Sequence, residues 1–341
     1  MNRFVSCLVF SGLIALCLDL CASTAGEVST TRDSATGWQV YTLKQGNTIV
    51  KVVPDAGANL FSIRVDDVEY LRQPESLDKL LSGGFGNPVL YPTPNRVKAS
   101  KFTFRSREFV LDSNADKNFI HGVVRAAPWT VEGSRATDTE AELTCAIAFQ
   151  PGQEYYDRFP LVHRLLLTMT VREGIVRWAY QVDNQAGRAA VPFGFALHPY
   201  FVYQGDRSAT YLTIPATHWM ESEKQLPSGR LVQANELTYP LGSPMSLEGT
   251  TFDDVFWGLR PDRPTLIDFR GEKRQIKIKA SAEFTHLVVW TPAQPYFGIE
   301  SQTCSTDAHN LDAAGLQEAA HLQVCEPGQT MNGWVEYDFT K

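Results

Sequence analysis

The sequence holds no CxxC pair, no HExxH helix, no GxSxG elbow and no glycine-rich phosphate or dinucleotide loop. Their absence leaves a thioredoxin-like redox site, a zincin, an α/β-hydrolase and a nucleotide-binding fold without support. His121 and His198, the two histidines with distinctive settings, are far apart in sequence, so a metal site would require a coincidence of folding. Cysteine is scarce, six in 341 residues, and Cys7, Cys17 and Cys21 fall within the first 21. The other three, Cys145, Cys304 and Cys325, are too few for a disulfide framework. One bridge is allowed, and spacing does not choose its partners. No cluster of Lys and Arg stands out, and the formal net charge is −7. Nucleic acid and anionic membranes are therefore poor partners.

What is present begins with Arg3, an apolar run from Phe4 to Leu18, and small residues through Ala25. The layout is that of a secretory signal peptide, with cleavage expected after Ala25. The run stops at Asp19, short of the roughly 20 residues a membrane span needs. A lipoprotein signal through Cys17 or Cys21 is the weaker reading, because bulky Leu16 and Leu20 precede them. The expectation is an exported protein, periplasmic or extracellular, with residues 26–341 forming one domain.

Beyond Ala25 the pattern is period-two alternation broken by turn residues. Trp38–Leu43 and Ile49–Val53 flank Gln45-Gly46-Asn47, a hairpin signal. Leu161–Val171 and Ile175–Val182 flank Arg172-Glu173-Gly174 and are the longest expected strands. Further strands are expected at Phe61–Val65, Val68–Leu71, Phe102–Phe104, Phe109–Leu111, Leu266–Phe269, Ile276–Ile278, His286–Trp290 and Trp334–Phe339. Helical periodicity is confined to Leu77–Leu81 and Ala313–Ala320. Many short strands with frequent turns predict an all-β sandwich or barrel.

Chemistry is expected where Pro-, Gly- and polar-rich stretches interrupt the alternation. Asn87–Arg96 carries three prolines in seven residues, which hold the chain extended and fix where Asn95 and Arg96 emerge. In Ile120-His121-Gly122, the glycine permits an unusual backbone angle or close approach. Pro192–Phe201, PFGFALHPYF, sets His198 at a strand end among rings; alone it reads as a packed core histidine as readily as a proton-transfer group. Glu300 follows Gly298-Ile299 in an apolar setting, where a carboxylate needs a partner or suffers a raised pKa. Asp253 and Asp254 sit together before Val255-Phe256-Trp257. His163, His218, His286, His309 and His321 have no setting that suggests chemistry.

Five segments, taken together, resemble the aldose 1-epimerase (galactose mutarotase) family: PNRV at Pro94–Val97, FIHGVVRAAPW at Phe119–Trp129, FALHPYF at Phe195–Phe201, FDDVFWGL at Phe252–Leu259 and VVWTPAQPYFGIESQT at Val288–Thr303. They occur in the family's order and span most of the chain. The resemblance implies a large galactose-mutarotase-like β-sandwich, a supersandwich, with few short helices and no cofactor. It implies Glu300 as catalytic base, His198 as catalytic acid and His121 as the second active-site histidine. It also implies Arg96 and Asp253 as substrate-binding residues, with Asp253 preferred to Asp254 for lying three before Phe256. Asn95, adjoining Arg96 in the same motif, is a further substrate-binding candidate. Trp129, Tyr200, Trp257 and Phe297 are candidates to stack on a sugar ring or to belong to the core.

The implied reaction interconverts the α and β anomers of an aldose. A base takes the proton from the C1 hydroxyl, an acid protonates the ring oxygen, and the reverse transfers close the ring in the other configuration. On this reading His198 supplies a charged donor near neutrality and Glu300 stays ionised. The expected partner is a monosaccharide. Three alternatives stay open: a non-catalytic carbohydrate-binding protein on the same scaffold, a hexose-6-phosphate 1-epimerase, and a polysaccharide lyase or hydrolase.

Overall fold

The computed structural model describes residues 25–340. The expected signal segment lies outside the described residues apart from Ala25. Strands dominate, and among the described residues α-helix is confined to Glu154–Arg158, Ala308–Ala313 and Gln317–Ala320. The fold is all-β. Leu77–Ser82, expected as a helical turn, is a 3-10 segment, and the stretch expected to be one helix near residue 313 is two, broken at Gly315.

A five-stranded meander runs from Glu27–Arg32 to Val68–Glu69. Its second hairpin turns at Gly46 (φ 56°) and Asn47, between Gln39–Gln45 and Thr48–Val53. A nine-stranded sheet carries the longest strands, His163–Arg172, Ile175–Asp183, Ala141–Phe149 and Thr330–Asp338, side by side and antiparallel. Its alternation puts Leu165, Leu167, Met169 and Val171 inside while the intervening residues mostly face outward.

A third sheet, the cleft sheet, carries Glu300 and Asp253 on its strands. Its order is Leu226–Gln233, His218–Glu223, Asp253–Trp257, His286–Trp290, Tyr296–Gln302, Ala196–Leu197 and Val89–Leu90, with Phe201–Val202 paired to Tyr296–Gln302. The cleft sheet and the nine-stranded sheet share one apolar interior. Aromatic pairs bridge them: Tyr180 stacks on Phe195 (centroids 4.5 Å), and Phe201 meets Tyr337 (5.4 Å). Each such ring, fully buried, contributes roughly 1.5–3 kcal/mol through area removed from water. Cys145, Cys304 and Cys325 are all buried and unpaired.

Candidate active site

His198 is placed by a zipper between two Pro-containing stretches. Ala196 and Leu197 pair with Leu90 and Val89, and the N–H groups of Gly194, His198 and Tyr200 donate to Pro92, Pro88 and Gly86 carbonyls at 2.7–3.0 Å. Pro199 has no N–H to donate, and the pairing continues past it at Tyr200. The imidazole, buried, stacks on Tyr200 (4.5 Å, 15°), and the His121 ring meets its edge (5.0 Å, 83°). The Trp290 ring stands edge-on 6.0 Å away.

His198 Nε2 lies 3.3 Å from Glu300 Oε1. Glu300 is buried on Tyr296–Gln302, the neighbour of Ala196–Leu197 in the sheet. Gln302, two residues on and so on the same face, donates from Nε2 to Glu300 Oε2 (3.1 Å). His121 has φ 71° and is followed by Gly122 at φ 65°. A Cβ on Gly122 would fall 2.2 Å from the Tyr91 carbonyl oxygen, so this position admits only glycine.

Arg96 is fixed through its backbone. Its N–H donates to Asn95 Oδ1 (2.8 Å), and its carbonyl accepts from the N–H of Asp307 (2.8 Å). Asp307, buried and left-handed (φ 55°), also accepts the Lys98 N–H on Oδ1 (2.9 Å), so it clasps the loop on both sides. The Arg96 guanidinium makes no hydrogen bond or ion pair among the described residues. Asp253 and Asp254 diverge because successive side chains leave opposite faces of a strand. Asp254 accepts from Trp219 Nε1 (2.8 Å), whereas Asp253 turns to the cleft and accepts from Gln225 Nε2.

Asn95, Arg96, Ile120, His121, His198, Tyr200, Asp253, Val288, Trp290 and Glu300 line one open cleft of about 190 Å³. It is smaller than the roughly 300–1,000 Å³ of drug-sized sites. A larger hollow of about 340 Å³, between Asp66, Tyr70, Glu173 and Arg274, contains no histidine and no buried carboxylate pair.

Residues 39–338 match the family model described as aldose 1-epimerase. The chain belongs to the aldose 1-epimerase family. It is 27% identical to YphB of Escherichia coli K12, itself described as uncharacterised, over 83% of this chain and 88% of that one. Among solved structures it is similar to a galactose mutarotase-like protein from Clostridium acetobutylicum, with TM-score 0.82, 17% identity, and 94% and 99% of the two chains covered. The galactose 1-epimerase of Lactobacillus acidophilus gives TM-score 0.74 at 14% identity over 93% and 99%.

In this epimerase-family cleft, His198, Glu300, His121, Arg96, Asp253, Asn95 and Tyr200 come together. Three expected ring-stacking candidates do not line it. Phe297 is odd-numbered on the strand of Glu300, so it faces the core against Phe201 and Tyr203. Trp129 is buried in the same core, its indole N–H directed to the Val124 carbonyl (3.5 Å). Trp257 shares the face of Asp253 but lies four residues, about 13 Å, further along the strand, where it packs on His218. Trp290 is the ring that sequence reasoning missed. Strand parity carries the signal, since Trp290 pairs with Gly298, two before Glu300.

The protonation expected from sequence is reversed by burial. Loss of water pushes the Glu300 carboxyl up to about 8; the Gln302 hydrogen bond opposes this, the Asp253 charge adds to it and Arg96 opposes it. Burial takes His198 down to about 4, and it holds His121 well below its ordinary value with help from the charges of His198, Arg125 and Arg96. Both shifts favour the uncharged forms, a protonated Glu300 beside a neutral His198. The pair still owns one proton, and 3.3 Å separates its two possible seats.

Proposed function

We propose that the protein is an aldose 1-epimerase that interconverts the anomers of a free monosaccharide, with Glu300 and His198 as the proton-transfer pair. The observation that carries this is the buried His198–Glu300 contact at 3.3 Å, flanked by Arg96 and Asp253 in a small open cleft. The hydroxyl and ring oxygens of a hemiacetal share one carbon, so two catalytic atoms this close can each reach one of them. In ring opening, Glu300 takes the O1 proton, the C1–O5 bond breaks as C1=O1 forms, and His198 protonates O5. Rotation about C1–C2 and the reverse transfers complete the inversion. The resting state, with the proton on Glu300, matches the open-chain stage of this cycle, and each half-step passes one proton across the pair. Arg96 and Asp253 hold the hydroxyls that fix C1 between the two groups.

The test is anomer exchange of glucose, galactose, xylose and arabinose by NMR, with Glu300→Gln and His198→Asn. Exchange unchanged in both variants sinks the mechanism; sugar binding without exchange favours a non-catalytic binding protein.

A phosphorylated aldose is a second reading, favoured by one observation. Arg125 has no hydrogen-bond or ion-pair partner among the described residues, and a Cβ on Gly83 (φ 80°) would fall 2.2 Å from its Nη1. It is also close enough to depress the His198 and His121 pKa values. Glucose 6-phosphate belongs in the same screen. We further propose export by the N-terminal segment, which N-terminal sequencing of the protein from its native host checks: Gly26 as the first residue supports it, Met1 excludes it.

A further inference from the structure

The strand order of the cleft sheet gives the sugar site a direction. From Glu300 the sheet steps through Val288 and Trp290 to Asp253, two strands away. Neighbouring strands lie about 4.8 Å apart and Asp253 stands two residues along from Val255, the position level with Glu300, which sets the two acidic residues about 12 Å apart at the backbone. With C1 at Glu300, the end of the ring remote from C1 points toward Asp253.

The next strand outward is His218–Glu223, and it does not stop at the sheet. With Leu226–Gln233 it forms a hairpin whose turn, Lys224-Gln225, has positive φ at both residues (50° and 63°). A register shift between Met220 and Ser222 marks a bulge, the feature that bends a strand and re-aims its end near active sites. At the tip, the Gln225 amide nitrogen donates to Asp253 Oδ2, the carboxylate's one side-chain partner among the described residues. Behind that contact, between Asn95, Ser222, Gln225 and Asp253, only about 10 Å³ remains, room for no more than about one water.

We propose that Gln225 is a specificity-determining residue that closes the sugar subsite beyond Asp253 and restricts the substrate to a monosaccharide unsubstituted at the end remote from C1. The proposal rests on the epimerase reading above in its free-sugar form, and preferential exchange of glucose 6-phosphate over glucose would overturn it. A sugar linked at that end to a second residue would have to break the Gln225–Asp253 contact and displace the hairpin tip. A free monosaccharide fits inside the wall, with the Gln225 carbonyl oxygen available to accept from its hydroxyl.

Anomer exchange is measured for glucose, maltose, lactose and melibiose with the wild type, Gln225→Gly, Gln225→Ala and, as a control at the same exposed turn, Lys224→Ala. The wild type is expected to favour glucose over each disaccharide in kcat/KM by roughly tenfold or more, and Gln225→Gly to narrow that ratio by about tenfold, chiefly through KM. Lys224→Ala keeps the wild-type ratio. Wild-type exchange of maltose as efficient as that of glucose, or a ratio unmoved by Gln225→Gly, overturns the proposal. Calorimetric Kd values for the same sugars separate it from the epimerase reading. Glucose bound without exchange ends that reading while the Kd ratio still judges the wall, and no sugar bound at all overturns both.

Discussion

In the nine-stranded sheet, Ile175–Asp183 alternates buried and half-buried residues from end to end, while Tyr296–Gln302 in the cleft sheet is buried from its second residue onward. The first strand has one apolar face and one outward face. The second has an apolar face, Phe297 and Ile299, and a buried polar face, Glu300 and Gln302. A carboxylate, an amide and an imidazole thus occupy positions where Leu167 and Val182 would serve stability better. Burying a polar group without full compensation is costly, and in this cleft the cost is met by neutralising Glu300 rather than by pairing it with a cation. The first strand buries one face only; the second buries a polar face as well.

The comparison is broken most severely at the proton pair. Glu300→Gln and His198→Asn should each slow anomer exchange by roughly 10²- to 10⁴-fold, and the double variant by far less than the product, since the two act as a unit. Yet Glu300→Gln should melt at a higher temperature than wild type. The folded carboxyl keeps its proton up to about 8, whereas the unfolded one releases it near its ordinary value, so ionisation favours unfolding across that window as pH rises. The gain in melting temperature should grow between pH 5 and pH 8; a flat difference would refute the burial argument.

Leu167→Ala in the nine-stranded sheet should do the opposite. Urea denaturation should show a loss of about 2–5 kcal/mol, while exchange per folded molecule stays at the wild-type value, because Leu167 is buried far from any cleft-lining residue in sequence and sheet.

The pH profile sharpens the contrast. Exchange requires one proton on the pair, so the rate should fall as pH rises through about 8, where Glu300 loses it, and as pH drops through about 4, where His198 gains a second. These limits belong to the pair rather than to either residue alone. The smallest effect is expected at the clasp. Asp307→Ala removes the acceptor for the Lys98 N–H and should cost about 1–3 kcal/mol in stability. Because Arg96 then wanders, KM should rise several-fold with kcat nearly kept, and a kcat loss without a KM change would rule out a positioning role.

Legibility in the sequence followed the same divide. The long hairpin at Arg172–Ile175 could be read from alternation because one face is only half-buried, whereas His286–Trp290, buried at its first four residues, could be read only as a short apolar run. Val89–Leu90 and Ala196–Leu197 could not, being two residues long and buried on both faces. Residue type and motif picked out His198, Glu300, His121, Arg96 and Asp253. Aromatic type alone did not say which rings line the cleft, although parity along Tyr296–Gln302 separates Phe297 from Glu300. The protonation state was illegible, because it depends on how much water the fold removes from around Glu300, and no local stretch encodes that.

Asp307 reaches the Arg96 loop across 209 residues of chain, to Lys98, and the strand of Glu300 meets the strand of His198 across more than a hundred. Contacts of such sequence separation form late, because loop-closure entropy must be met before they reward the chain. The hairpin of His163–Arg172 with Ile175–Asp183 closes over two residues, whereas Ile175–Asp183 meets Thr330–Asp338 only across about 150. On dilution from denaturant, the strand content of the local hairpins should therefore return before the cleft assembles, so that far-UV ellipticity begins to recover ahead of the exchange activity proposed above.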